Sequence, residues 1–199
     1  MIDGPFDAIS AAVPVLDALR NLGVRCYVGG SLASSVHGLG RTTLDADLIA
    51  DLAQQHVAAL VAALGDAYYI DAQSITRAIA NRSSFNVIRL STMIKVDVFV
   101  QKSDAFNRSV AARVREHMLD DQRGVGPYLV ASPEDIILHK LEWYRMGDGV
   151  SDRQWTDLVN VMKVQGEALD RGYLNRWAAE LDVAELLDRA WDEAEALGA

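Results

Sequence analysis

Val28-Gly29-Gly30-Ser31 is followed by Leu44-Asp45-Ala46-Asp47-Leu48-Ile49, with thirteen residues between Ser31 and Asp45. The second stretch reads as a strand, and residues i and i+2 of a strand point to the same face. Asp45 and Asp47 can therefore aim two carboxylates at one point. Two like charges held side by side are costly unless a cation neutralises them. Paired carboxylates, with substrate phosphates completing the shell, are a usual way to hold Mg²⁺. The Gly29-Gly30 turn lets backbone N–H groups approach an anion closely. The pattern predicts a site for a metal-bound triphosphate.

A third acid extends the pattern. In Met93-Ile94-Lys95-Val96-Asp97-Val98-Phe99-Val100, the residues Ile94, Val96, Val98 and Val100 alternate onto one face. Asp97 falls on the other face, between Lys95 and Phe99. An aspartate in mid-strand is disfavoured, and becomes sensible if that face meets Asp45 and Asp47 across a ladder. Three carboxylates on neighbouring strands can bridge two metals about 3.5–4 Å apart, the arrangement for in-line phosphoryl or nucleotidyl transfer.

Gly-Gly-Ser, a spacer, Asp-x-Asp and a later strand aspartate together resemble the nucleotidyltransferase superfamily, which includes DNA polymerase β and the antibiotic nucleotidyltransferases. Arg41-Thr42-Thr43 immediately before Leu44-Asp45-Ala46-Asp47 is most similar to the abortive-infection toxin branch and its bacterial relatives. The resemblance covers residues 24–100 and is looser beyond them. It implies an α+β fold, a small mixed β-sheet with flanking helices and then a C-terminal helical bundle. It also implies a catalytic set of Asp45, Asp47 and Asp97, which are the metal ligands as well, for Mg²⁺ or alternatively Mn²⁺. An NTP, with ATP included, would lie against Gly29, Gly30 and Ser31. The acceptor hydroxyl could belong to an RNA 3′ end such as that of tRNA, to a protein or to a small molecule. The toxin-branch likeness adds a cognate antitoxin as a possible partner. A non-catalytic nucleotide-binding or partner-binding module on the same fold is the rival from another class, although such a module has little use for three carboxylates.

Composition narrows the classes. At 199 residues with half of them hydrophobic, the chain can bury a real core. A net charge of −9 gives no global attraction to nucleic acid. No apolar run is long enough to span a membrane, and the N-terminus lacks the basic region and apolar core of a signal peptide. A cytoplasmic protein without a membrane partner is expected. The single Cys26 allows no internal disulfide, suits a reducing compartment and reads as a packing residue.

Residues 1–130 are expected to form the catalytic domain and 131–199 a helical region packed on it. The first part reads as a helix over 6–22, a strand over 24–28, a helix beginning at Ser31 and the Asp-x-Asp strand over 44–50. A helix over 54–64 and a hairpin of 85–90 with 94–100 follow. Residues 108–130 read as a strand or ribbon turning at Gly124-Val125-Gly126. Ser132-Pro133 is an N-cap with proline at the first helical position, and Ser151-Asp152-Arg153-Gln154 is a capping box. Asp182-Val183-Ala184-Glu185 starts a last helix closed by Gly198. The loop around Gly147-Asp148-Gly149 separates an α/β part from a helical part.

Four further residues carry open readings. Lys140 falls inside the apolar arc of Ile136, Ile137, Leu141 and Tyr144: it either snorkels to water or meets phosphate. Asp157 either pairs with Arg153 on a solvated helix face or faces the nucleotide. Arg41 is a surface cation or a triphosphate contact, and Ser31 caps its helix or binds a phosphate oxygen. The toxin branch implies the nucleotide role for a lysine and a later acid such as Lys140 and Asp157. Gly38-Leu39-Gly40-Arg41-Thr42-Thr43 lacks the Gly-Lys-Ser/Thr of a P-loop. His37, His56, His117 and His139 show no metal spacing. Trp143, Trp155, Trp177 and Trp191 are expected in helix cores.

Overall fold

The structure, a computed structural model, describes residues 8–39, 43, 45–147 and 152–196. The chain divides into two compact units, one of residues 1–32 with 42–130 and the other of residues 33–41 with 131–199.

The first unit is built on a mixed sheet. Its strands are β1 (Cys26–Val28), β2 (Asp45–Ala50), β3 (Tyr68–Tyr69), β4 (Ser84–Arg89), β5 (Ile94–Val100), β6 (Arg115–His117) and β7 (Tyr128–Val130). They lie in the order β3-β4-β5-β2-β1-β7-β6. The β2–β5 and β1–β7 pairs are parallel and the others antiparallel. The central strands alternate as their sequence dictates. Ala46, Leu48 and Ala50 of β2 and Ile94, Val96, Val98 and Val100 of β5 are buried, while Asp45, Asp47, Lys95 and Asp97 stay partly open. The buried face is covered by α1 (Ala8–Asn21), with α3 (Val57–Leu64) against α1 and α4 (Ala72–Asn81) against β4 and β5.

α1 keeps Ala8, Ala11, Ala12, Val15, Leu16 and Leu19 on its buried side despite Pro14 in its interior. Proline has no N–H to give the carbonyl four residues back. That carbonyl, Ser10 O, accepts from Arg89 Nη1 at 2.7 Å, and Tyr68 Oη donates to Ala11 O at 2.9 Å.

The second unit is helical. α6 (Pro133–Met146) packs on α7 (Asp152–Gln165) and α8 (Arg171–Glu180), and α9 (Ala184–Ala196) packs on α7 and α8. Ser132 caps α6, accepting from Asp135 N at 3.2 Å, with Pro133 in the first turn. The buried Asp135 accepts from Ser132 Oγ at 2.7 Å and from Tyr173 Oη at 2.6 Å. The eight-residue α2 (Gly30–His37) begins in the first unit and ends in the second.

Several local expectations change. The helix expected over 54–64 opens with a 3₁₀ turn at Gln54–His56. Residues 108–113 are not ribbon: they end α5 (Ala105–Arg113), which Asp104 caps by accepting from Asn107 N. The ribbon is the β6–β7 pair, narrowed by a bridge between Asp120 and Val125. β3 and α4 have no counterpart in the sequence reading. Trp155 and Trp177 are core residues, but Trp143 is 53% exposed because it points away from the α6 face that packs. The capping box at Ser151, the loop at Asp148-Gly149 and the stop at Gly198 lie outside the described residues.

Candidate active site

β2 and β5 run parallel in a register that sets Asp45 opposite Lys95 and Asp47 opposite Asp97. On the other side of β5, Asn86 of β4 is opposite Asp97. The face away from α1 thus carries three carboxylates, one ammonium and one amide on three neighbouring strands. Side chains directly opposite one another in a sheet are close enough to interact.

Each acid is held differently. Thr43, itself buried, donates from Oγ1 to Asp45 Oδ1 at 2.8 Å. Asp47 is fixed through the glycine turn. Gly29 N–H donates to the Asp47 carbonyl at 2.9 Å, and the Asp47 carboxylate lies against Gly30. A Cβ on Gly30 would sit 1.7 Å from Asp47 Oδ2, and Gly30 has φ +53°. Both facts demand glycine, the first for space and the second for backbone conformation. Asp97 is engaged at both oxygens: Asn86 Nδ2 donates to Oδ1, and Lys95 Nζ pairs with Oδ2 at 2.6 Å. The bond to Asp97 raises the Lys95 pKa, with the charges of Asp97, Asp45 and Asp47 adding to it against a smaller opposing loss of solvent.

These acids are hard oxygen donors of the type Mg²⁺ takes. Among the described residues, no three His, Cys, Asp or Glu side chains close around one point. The Asp97 carboxylate is engaged by Lys95 and Asn86. The donor set on this face fits a divalent cation, and the closed cage is not preformed.

The remaining expected site residues fall as follows. Gly29 follows β1 and Gly30 starts α2. Ser31 is the second residue of α2 and so not its cap. Arg41 lies outside the described residues. Lys140 and Asp157 belong to the helical unit, where both are buried, at 3% and 5% exposure. Lys140 Nζ meets Asp157 Oδ2 at 2.9 Å and Gln154 Oε1 at 2.8 Å. Lys140 therefore does not snorkel to water, and Asp157 is not on a solvated face. His37 is a buried packing residue with Nε2 2.7 Å from Ala131 O. Thr43, Asn86 and Lys95 are contacts of the acids that the motif alone did not bring forward. The hairpin centred on Ser91-Thr92 carries the signal for Asn86, because it sets positions 86 and 97 opposite.

No protein-family model matches the chain, and no curated protein matches it. Among solved structures, the solution structure of the antibiotic-resistance factor ANT(2'')-Ia matches over 86% of this chain and 93% of that one, with a TM-score of 0.52. The chain shares the fold of ANT(2'')-Ia. At 14% identity the likeness to ANT(2'')-Ia is one of fold. A crystal structure of ANT(2'')-Ia in complex with adenylyl-2''-tobramycin aligns over 92% of this chain and 97% of that one, at 12% identity and a TM-score of 0.49.

Proposed function

We propose that this protein is a metal-dependent nucleotidyltransferase that moves NMP from an NTP to an acceptor hydroxyl. The observation that carries the reading is the β2–β5 register, which sets Asp47 opposite Asp97 with Asp45 two residues along on the same face. The glycine turn supports it, because Gly30 has its carboxylate neighbour where a side chain would otherwise stand.

Asp45 and Asp47 are the proposed ligands of Mg²⁺ or Mn²⁺, with Asp97 completing the set. The bound metal would supply neutralisation of charge on the triphosphate. Gly29, Gly30 and Ser31 would receive the phosphates at the start of α2. Asp97 would take the proton of the acceptor hydroxyl as its oxygen bonds to the α-phosphorus. The α–β phosphoanhydride bond breaks and pyrophosphate leaves. Arg41, Lys140 and Asp157 stand as proposed nucleotide contacts on the resemblance to the toxin branch alone. That branch also motivates tRNA as acceptor and an antitoxin as partner. The fold shared with an antibiotic-resistance factor supports trying the small-molecule acceptors among these.

The test is incubation with each labelled NTP, Mg²⁺ and separate pools of RNA, protein and small polyols or aminoglycosides, with pyrophosphate measured alongside label. Release of pyrophosphate with label in one pool, lost in Asp45→Asn and Asp47→Asn, is the expected result. Metal-dependent NTP binding with no pyrophosphate from any pool would favour a binding module instead.

A further inference from the structure

We infer that Lys95 is the resting counter-cation of Asp97 on the acidic face, and that a divalent metal binds there by exchange, the ammonium leaving Asp97 as the metal arrives. This rests on the reading of that face as a metal site.

The four positions form a block across two strands, Asp45 with Lys95 and Asp47 with Asp97. Three negative charges and one positive charge share it. The positive charge is not at the margin, since Lys95 Nζ sits 2.6 Å from Asp97 Oδ2 and Lys95 is opposite Asp45 in the β2–β5 register. With Asn86 on Oδ1, both oxygens of Asp97 are committed. A metal ligated by Asp97 must take at least one of them from its present partner. The Asn86 amide is neutral and short, and its partner can accept a second contact. The ammonium is charged and repels a dication directly. It is also the group free to move, because the Lys95 side chain is 47% exposed on a flexible four-carbon stem.

An ordinary surface ion pair predicts a different outcome. Such pairs contribute little and can be deleted without consequence elsewhere. A lysine standing in for a metal must instead oppose the metal. Removing it should tighten metal binding and leave the metal-free Asp97 without its ion pair.

Mn²⁺ binding, read by the free-ion electron paramagnetic resonance signal without nucleotide, tests this on the full chain. Wild type, Lys95→Met, Lys95→Arg and Asp47→Asn are compared, with Lys95→Gln in place of Lys95→Met if the latter does not fold. Lys95→Met should bind Mn²⁺ about tenfold more tightly than wild type, the scale of a unit charge acting on a dication across a few ångströms of exposed surface. Lys95→Arg keeps the charge and should stay near wild type. Without metal, Lys95→Met should melt below wild type, and saturating Mn²⁺ should raise its melting temperature more. If Asp47→Asn weakens wild-type binding but Lys95→Met binds no more tightly than wild type, the exchange is wrong and the metal site stands. If Asp47→Asn leaves Mn²⁺ binding unchanged, or if no variant binds Mn²⁺, the exchange and the reading beneath it both fall.

Discussion

Gly30 lies directly beneath Asp47, so close that a Cβ on the glycine would meet the Asp47 carboxylate at 1.7 Å. The contact joins the turn after β1 to the acid of β2. It explains why the Gly29-Gly30 pair and Asp47 come together in one sequence pattern. The Gly29 N–H to Asp47 carbonyl bond sets the spacing of the two segments. The missing side chain at Gly30 then leaves the carboxylate its place.

Gly30→Ala should therefore displace Asp47 and not merely stiffen the turn. Positive φ alone costs an alanine on the order of 1–2 kcal/mol. The overlap with Oδ2 adds a forced movement of the carboxylate. Loss of nucleotidyl transfer comparable to that of Asp47→Asn, together with a lowered melting temperature, is the expected result. Wild-type activity in Gly30→Ala would show that the Asp47 position is not critical.

The Lys140–Asp157 pair makes a second prediction, one about stability. Both groups are buried and bonded to each other. Removing one partner of such a pair leaves a buried charge without its counter-ion, typically at a cost of about 3–5 kcal/mol. Lys140→Met should show that loss in chemical denaturation, and Lys140→Met with Asp157→Leu should recover much of it. If the pair also serves the nucleotide, the double variant will fold well and still bind NTP poorly. Full NTP binding in the stable double variant would leave the pair a structural role only.

The acidic face was legible in the sequence because its logic is local. Alternation in β2 and β5 fixes which residues share a face, and Asp97 stands out against valines on either side. The fold class was legible for the same reason, since strands with the right alternation precede a run of capped helices. β3 and α4 were not legible. β3 is two residues long, and α4 carries only Ile75 and Ala78 as buried positions, too few to announce a helix. The Lys140–Asp157 contact depends on how α6 packs on α7, which no periodicity encodes. Pairing with Lys95 depends on a side chain turning along its own strand face, which alternation permits without requiring.

Cys26 gives a prediction with a pH sign. Burial pushes its thiol up from 9.0 to about 11, against a smaller downward pull from Arg20, while Asp17 adds to the rise. At pH 8 the native protein should resist iodoacetamide, and the unfolded chain should react at once. The folded pKa lies above the unfolded one. The stability tied to keeping this thiol protonated is complete below about pH 9 and is lost as pH rises towards 11, by roughly 2–3 kcal/mol. Denaturation midpoints of wild type and Cys26→Ala across that range should converge towards high pH. Rapid native alkylation at pH 8 would contradict the burial of this strand.

The last prediction concerns Pro14 and Arg89, which are coupled through a carbonyl neither owns. Pro14 cannot donate to Ser10 O, and Arg89 Nη1 donates to it at 2.7 Å. Arg89→Met keeps most of the aliphatic stem and deletes the donor. A charged donor lost from a partly buried carbonyl costs about 1.5–3 kcal/mol. In a Pro14→Ala background, residue 14 regains its N–H and the helix can close that bond itself. Arg89→Met should then cost less, by about 1 kcal/mol or more. The double-mutant cycle isolates this term because the two side chains act on one acceptor. Urea denaturation of the four proteins gives the coupling directly. Strict additivity would mean that Arg89 stabilises α1 through packing alone, and that the Ser10 carbonyl is satisfied in another way.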